Sequence, residues 1–316
     1  MRKVLITGIA GFAGSHLTER LHKKAQVWGT YIDANLSNIS AIPDLNLIKC
    51  ELLDYTSVLE AVSRIKPDCI FHLAAQSAPS LSYANPEGTL KTNIFSTLNL
   101  FEAVLAGSPN STILNIGSGD EYGEVDSVQL PVKESTELKP LNPYAVSKVT
   151  TDLMSFQYSK TRNLKVVRCR PFNHIGPRQS DNFVAASFAK QIAEIEAGIK
   201  QEKVLKVGNL ESSRDFIDVR DVVAAYELLM DKGEYGEVYN ICSGRAIKIQ
   251  EILDTLLSFS KKNIEVIQDI ERLRSKESPV VYGDAMKMQS LGWAPKYTLR
   301  ESLRELLEYW RERVKG

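Results

Sequence analysis

The stretch Val4-Leu5-Ile6-Thr7, followed by Gly8-Ile9-Ala10-Gly11-Phe12-Ala13-Gly14 and then Leu17 and Leu21 at helical spacing, constrains this chain more than any other. It reads as a strand, a glycine turn and a helix. Glycine permits a sharp turn and close backbone approach. A helix that starts there presents unpaired N–H groups and the positive end of its dipole to an anion. The spacing is G-x-x-G-x-x-G, a variant of the G-x-G-x-x-G fingerprint that seats the pyrophosphate of a dinucleotide.

The same alternation continues through the first half. Strands are predicted at 3–7, 26–31, 45–49, 69–73, 112–117 and 165–170, with helices at 13–24, 56–65, 89–106 and 143–161. Strands alternating with helices predict a parallel sheet covered on both faces. Cys69-Ile70-Phe71-His72-Leu73 runs apolar without alternation, as a strand buried on both sides does, and His72 within it reads as a hydrogen-bonded core residue. The second half is less regular: a helix near 183–198, a strand at 204–207, a helix at 219–231, a strand at 237–241 and an amphipathic stretch from 247 to 259. Thr298 and Glu301 form a capping-box pattern ahead of a last helix. The expected fold is α/β: a Rossmann-type doubly wound parallel sheet with a smaller, interleaved substrate-binding lobe. Residues 1–171 and 213–243 are assigned to the dinucleotide-binding unit, and 172–212 and 244–316 to the second unit.

Composition excludes several partners. Lysine plus arginine equals aspartate plus glutamate at 39 each, so no overall charge draws the chain to nucleic acid or to a membrane. No apolar run approaches the ~20 residues of a membrane span. The N-terminus opens into a strand, so no signal peptide is expected and the location expected is the cytoplasm. Cys50, Cys69, Cys169 and Cys242 lie far apart and are expected to be reduced and mostly buried. His16, His22, His72 and His174 do not cluster, so no metal site is expected.

One pair stands out. Of the tyrosines, only Tyr144 has a lysine, Lys148, four residues on. On a helix the two share a face, and Pro143 suits the first turn. A neighbouring ammonium favours phenolate, so Lys148 is expected to lower the Tyr144 pKa and make the phenol a proton donor or acceptor near neutral pH.

Gly8-x-x-Gly11-x-x-Gly14, His72-Leu73-Ala74-Ala75, Asn93, Ser118, Tyr144-x-x-x-Lys148 and Arg170-Pro171-Phe172-Asn173-His174-Ile175-Gly176-Pro177 occur in this order. Together they resemble the extended short-chain dehydrogenase/reductases that act on nucleotide-sugars. Within that family the chain is most similar to GDP-6-deoxy-4-keto-hexose reductases, relatives of GDP-mannose 4,6-dehydratase. The narrower likeness rests on Asn173 to Ser180, Phe188 to Ile192, and Val207 to Glu211 leading into Arg214-Asp215-Phe216.

The resemblance implies hydride transfer between a nicotinamide and carbon 4 of a sugar. Tyr144 would exchange the proton, Lys148 would anchor the nicotinamide ribose, and Ser118 would hydrogen-bond the same sugar oxygen. Cofactor contacts are implied for Gly8, Gly11, Phe12, Ala13, Gly14, Asp33, Glu51, Leu52, Leu73, Ala74, Ala75 and Pro171, besides Tyr144 and Lys148. Substrate contacts are implied for Asn173, Val184, Lys190, Arg214, Arg274 and Glu277, with Lys190 and Val184 on the guanine side. Arg214 also has a plainer reading as one member of a surface ion-pair network with Asp215, Asp218, Arg220 and Asp221.

The segment Gly117-Ser118-Gly119-Asp120-Glu121-Tyr122-Gly123 separates reductase from dehydratase. Dehydratases of the family place a glutamate where Asp120 falls. Aspartate is one methylene shorter, and a misplacement of about 1 Å can cost on the order of a hundredfold in rate. Glu121 falls where an apolar residue is usual and is expected to point elsewhere. Carbonyl reduction needs no such base, so the reading favoured is NAD(P)H-dependent reduction of GDP-4-keto-6-deoxy-mannose to GDP-rhamnose. GDP-mannose 4,6-dehydratase with Asp120 as base, a UDP-sugar 4-epimerase and a non-catalytic dinucleotide sensor are the alternatives. NAD and NADP are both admitted; the lack of an arginine near Tyr31 and Asp33 leans toward NAD. A homodimer is expected through a four-helix bundle of the 89–106 and 143–161 helices.

Overall fold

The computed structural model describes residues 1–33, 35–272 and 278–315. Aliphatic and β-branched runs form β1 (Lys3–Thr7), β2 (Gln26–Tyr31), β3 (Asn46–Lys49), β4 (Cys69–His72), β5 (Thr112–Ile116) and β6 (Lys165–Pro171), and the strand Val238–Ile241 joins them. The spatial order is β3-β2-β1-β4-β5-β6 and then Val238–Ile241, with every neighbouring pair parallel. This is the doubly wound Rossmann-type sheet that the alternation predicts. The chain winds outward from β1 to β3 and returns at β4. The switch therefore lies between β1 and β4, and the crevice beyond their C-terminal ends is the ligand position of such sheets.

Successive strand residues enter opposite cores, as the two-residue period requires. Ile70, Ile113 and Val166 enter one, with α2 (Tyr55–Ile65) and the Ser96–Gly107 helix over them. Phe71, Leu114 and Val167 enter the other, under α1 (Phe12–Leu21) and the Val219–Lys232 helix. β4 is buried along its whole length, since both of its faces are covered. A third core lies outside the sheet. Its helices Val184–Glu196, Ile249–Leu257 and Leu299–Arg313 bring together Phe188, Ile192, Ile252, Leu256, Leu303 and Leu306. Burial of each such Leu or Ile contributes about 1.5–3 kcal/mol. The capping box forms as the sequence predicts: the Glu301 N–H donates to Thr298 Oγ1 at 3.3 Å, and the Thr298 N–H donates to Glu301 Oε2 at 2.8 Å.

Three elements differ from the sequence reading. The helix expected at 89–106 begins at Pro86, where Asn85 caps it by accepting the Gly88 N–H at 2.9 Å. It then passes through a π-helical segment, Lys91–Phe95, before Ser96–Gly107. The amphipathic stretch starts as a strand, Ile247–Lys248, and becomes helical only at Ile249. Glu265–Gln268, unassigned from sequence, pairs parallel with Val204–Val207. All four of its residues are exposed, so no buried face marks it in the sequence.

Candidate active site

The glycine turn has the form that its residues demand. Gly8 lies at φ +70° and approaches the Ala74 backbone so closely that a Cβ would meet it at 3.0 Å. A Cβ on Gly14 would collide with the carbonyl oxygens of Gly8 and Ile9. Gly11 caps α1 without a side chain, so no side-chain oxygen occupies the first-turn N–H groups. That is the geometry an anion needs at a helix N-terminus.

From this turn a cleft of about 1740 Å³ runs across the C-terminal ends of β1, β4, β5 and β6 to the helix Val184–Glu196. Single small-molecule pockets are typically about 300–1,000 Å³, so this cleft has room for two nucleotide-sized ligands. It is lined by every residue that the sequence put forward for catalysis, cofactor or substrate within the described residues, Ser118 and Asp120 included. Arg274 and Glu277 lie outside the described residues.

At the centre, the Pro143–Arg162 helix starts at Pro143, and Asn142 caps it by accepting the Ala145 N–H at 2.8 Å. Tyr144 and Lys148 lie on its inner face, both buried. The Lys148 ammonium sits 5.9 Å from the Tyr144 ring centroid and donates to the Ile116 carbonyl at 2.7 Å. The expected acidification of the phenol is not what this geometry produces. Burial pushes the Tyr144 pKa well above the ordinary tyrosine value, the Asp120 charge adds to the rise, Ser118 as a hydrogen-bond partner opposes it, and Glu121 raises it further. The phenol is therefore held protonated. Lys148 responds in the opposite sense: burial lowers it to about 8, against the Glu121 and Cys169 charges.

The carboxylate pair divides. Asp120 faces the cleft, whereas Glu121 is fully buried beneath it. The Ser118 N–H donates to Glu121 Oε1 at 2.7 Å, and the Arg170 guanidinium donates to Glu121 Oε2 at 3.0 Å. Ser118 Oγ in turn accepts the Asp120 N–H at 3.1 Å.

The loop after β4 is stitched in place. Asn93, in the π segment, accepts the Gln76 N–H at 2.8 Å and donates to the Gln76 carbonyl at 3.0 Å and to Ser147 Oγ at 2.8 Å. His72 lies behind it as a core residue between Thr7 Oγ1 at 2.9 Å and Thr97 Oγ1 at 3.0 Å. Thr97 donates to the Asn93 carbonyl, so the network fits a neutral imidazole with its proton on Nε2. Burial, with the Lys148 charge, lowers His72 to about 3.

On the far side, Asn173 donates to the Asp215 carbonyl at 3.2 Å and Arg214 donates to the Ser213 carbonyl at 2.8 Å. The carboxylates around Arg214 have tasks of their own. Asp215 is buried and accepts from the Ser243 N–H and hydroxyl at 2.7 Å and from the Gly244 N–H at 2.9 Å. Asp218 caps the Val219–Lys232 helix and pairs with Arg220 at 2.9 Å, and Asp221 accepts the Lys296 and Tyr297 N–H groups at 3.0 Å. Lys190 pairs with Asp181 at 2.7 Å.

Sequence reasoning missed several lining residues. Arg178 sits at φ +75° and donates to the Asn38 carbonyl at 3.1 Å, beside the connection from β2 to β3 where the sequence offers no arginine. Glu19 holds it at 2.8 and 2.7 Å. Nothing in the sequence links positions separated by 140 residues. Gln76 Oε1, Gln179 Oε1 and Tyr226 Oη are buried without a hydrogen-bond partner, and all three residues line the cleft. Orphaned polar atoms of this kind, the open helix terminus and the glycine cradle together fit a nicotinamide dinucleotide.

The model of the family described as GDP-mannose 4,6 dehydratase matches residues 5–306. GDP-6-deoxy-D-mannose reductase of Pseudomonas aeruginosa is 37% identical over 315 residues, 99% of each chain. Among solved structures, RMD from Pseudomonas aeruginosa complexed with NADPH superposes with a TM-score of 0.84 at 36% identity, over 99% of this chain and 100% of that one. UDP-glucose 4-epimerase of Thermus thermophilus in complex with NAD gives 0.87 at 26% identity, over 98% and 99%. Matched along nearly its whole length, the chain belongs to the GDP-mannose 4,6 dehydratase family.

Proposed function

We propose that the protein reduces the 4-keto group of GDP-4-keto-6-deoxy-mannose to give GDP-rhamnose, using NADH or NADPH. The bound nicotinamide supplies the hydride. Tyr144 donates the proton to the carbon-4 oxygen, and Ser118 hydrogen-bonds that oxygen as negative charge develops on it. Lys148 anchors the cofactor ribose and stabilises the phenolate that Tyr144 becomes.

The observation that carries this reading is the division of the two carboxylates. Asp120 is the short carboxylate in the cleft, and Glu121, the only glutamate of that segment, is turned into the core. Removal of a carbon-5 proton would fall to a side chain one methylene short. The full-length likeness to a protein named GDP-6-deoxy-D-mannose reductase supports the same choice.

The test is incubation with GDP-4-keto-6-deoxy-mannose and reduced nicotinamide, followed by loss of the reduced cofactor and by product analysis. Formation of a 4-keto sugar from GDP-mannose without added reductant would replace the reading by the dehydratase, and conversion of UDP-galactose by the epimerase. In the same assay NADH is expected to be preferred over NADPH. Asp33 lines the cleft as a carboxylate for ribose hydroxyls, and Arg178 is already engaged by Glu19.

The substrate is assigned to the unit built on the third core, with Asn173 and Arg214 on the diphosphate and Val184 and Lys190 at the guanine. The working form is proposed to be a homodimer. Phe95, Val146, Leu153 and Phe156 are exposed on the Lys91–Phe95 and Pro143–Arg162 segments, where a two-fold partner would cover them in a four-helix bundle. Among the described residues no helix is long and apolar enough to cross a membrane. The four cysteines are free and buried, which suits the cytoplasm.

A further inference from the structure

Beneath the cleft lies a cluster of buried charges that the chemistry above does not use. The Arg170 guanidinium donates to Glu121 Oε2 at 3.0 Å, to Asp152 Oδ2 at 2.7 Å and to Tyr122 Oη at 3.1 Å. Arg168 donates to the same Asp152 oxygen at 3.0 Å. Asp152 stands on the helix of Tyr144 and Lys148, one turn beyond Lys148. Glu121 belongs to the short turn that Ser118 caps. One guanidinium on β6 therefore joins the Ser118 turn to the helix of Tyr144 and Lys148.

Glu121 is the member nearest the chemistry. Its Oε1 holds the Ser118 N–H at 2.7 Å. The segment Ile116-Gly117-Ser118 is gripped from two sides: Lys148 takes the Ile116 carbonyl, and Glu121 takes the Ser118 amide. Gly117 lies between, where a Cβ would collide with Glu121 Oε1, so the carboxylate is pressed against the main chain of this segment. Both Glu121 oxygens face donors. Burial and the Asp152 charge push Glu121 up to about 8, against the Arg170 charge, the Ser118 N–H and the Lys148 charge. With a donor on each oxygen and no acceptor placed for a carboxyl proton, these contacts hold it as the carboxylate.

We propose that Glu121 is a positioning residue of the active site: its buried carboxylate fixes the Ser118 turn and acts as the counter-charge to Lys148. The role rests on the reductase reading above only for its effect on turnover. The charged and titratable groups facing Lys148 are Glu121, Cys169 of β6, His72 of β4 and Tyr144 of its own helix. Glu121 itself faces Arg170, Asp152 and Lys148. Without the Glu121 charge, Lys148 keeps its burial and loses its main anionic support, so its ammonium should titrate at lower pH.

The experiment compares wild type with Glu121→Gln, which keeps the side-chain size and removes the charge. Cofactor affinity should stay within about twofold while turnover falls at least about tenfold. The basic limb of turnover should move down by about one pH unit. Lysine labelled with carbon-13 gives a readout without substrate: the Lys148 resonance, assigned with Lys148→Met, should titrate at lower pH in Glu121→Gln. An unmoved Lys148 titration together with unchanged turnover would overturn the proposal. If Glu121→Gln does not fold, Glu121→Met, which removes the carboxylate and leaves Arg170 its Asp152 partner, is read in the same way. A shifted Lys148 titration in a protein whose wild type ignores the GDP-keto-sugar would sustain the role of Glu121 and remove the substrate assignment instead.

Discussion

Lys148 donates to the carbonyl of Ile116, the last residue of β5, at 2.7 Å, and so pins the helix of Tyr144 to the strand that ends beside Ser118. Its pKa is held down to about 8 because burial outweighs the opposing Glu121 and Cys169 charges. Two opposite pH dependences follow. Turnover needs the ammonium and should decline as pH rises through about 8. Stability responds the other way. Between about 8 and the ordinary lysine value of 10.5, the unfolded chain binds a proton that the folded chain lacks, so this group's contribution to stability rises with pH in that window. Turnover and thermal melting against pH, with Lys148→Met as reference, should show the declining activity limb and a rise in melting temperature that the variant lacks.

Tyr144→Phe removes the proton donor and leaves the ring that packs in the buried position. Turnover should fall by about 10²–10⁴-fold, the usual contribution of a general acid. Cofactor affinity, measured by fluorescence titration, should remain nearly unchanged. Unaltered turnover would remove Tyr144 from the acid role.

Gly14→Ala places a methyl group against the carbonyl oxygens of Gly8 and Ile9, which are backbone atoms and cannot rotate away. The turn must open. The expected result is loss of measurable dinucleotide binding together with a lower melting temperature, read by calorimetry with and without cofactor.

Arg214→Met keeps much of the aliphatic stem and removes the guanidinium of a residue that lines the cleft. If Arg214 pairs with the diphosphate of the sugar nucleotide, KM for that substrate should rise by about ten- to a hundredfold, the range for losing a charge-assisted contact. KM for the nicotinamide cofactor should stay as it is. An equal rise in both would assign Arg214 to the shape of the cleft as a whole.

Much of the molecule was legible without coordinates because its determinants are local. The strands β1 and β5 follow from aliphatic runs, and the turn at Gly8 follows from glycine spacing. The capping box at Thr298 needs only residues three apart. Other features depend on approach in space. The arginine beside Asn38 comes from position 178, far along the chain. The π segment around Asn93 leaves no compositional mark that a regular helix would lack. The exposed strand Glu265–Gln268 has no apolar face to reveal it.

The order of residues alone determined the sheet, the glycine cradle and the inner-face pairing of Tyr144 with Lys148, since each follows from the short-range geometry of strand, turn and helix. Only the folded molecule decided in which direction that phenol is poised. A charge four residues away argues for acidity. Loss of water around a buried phenol, with Asp120 and Glu121 brought beside it by β5, argues the reverse and prevails. Burial and the field of distant carboxylates belong to no single stretch of sequence, which is why the tertiary structure overruled the local pattern at this position.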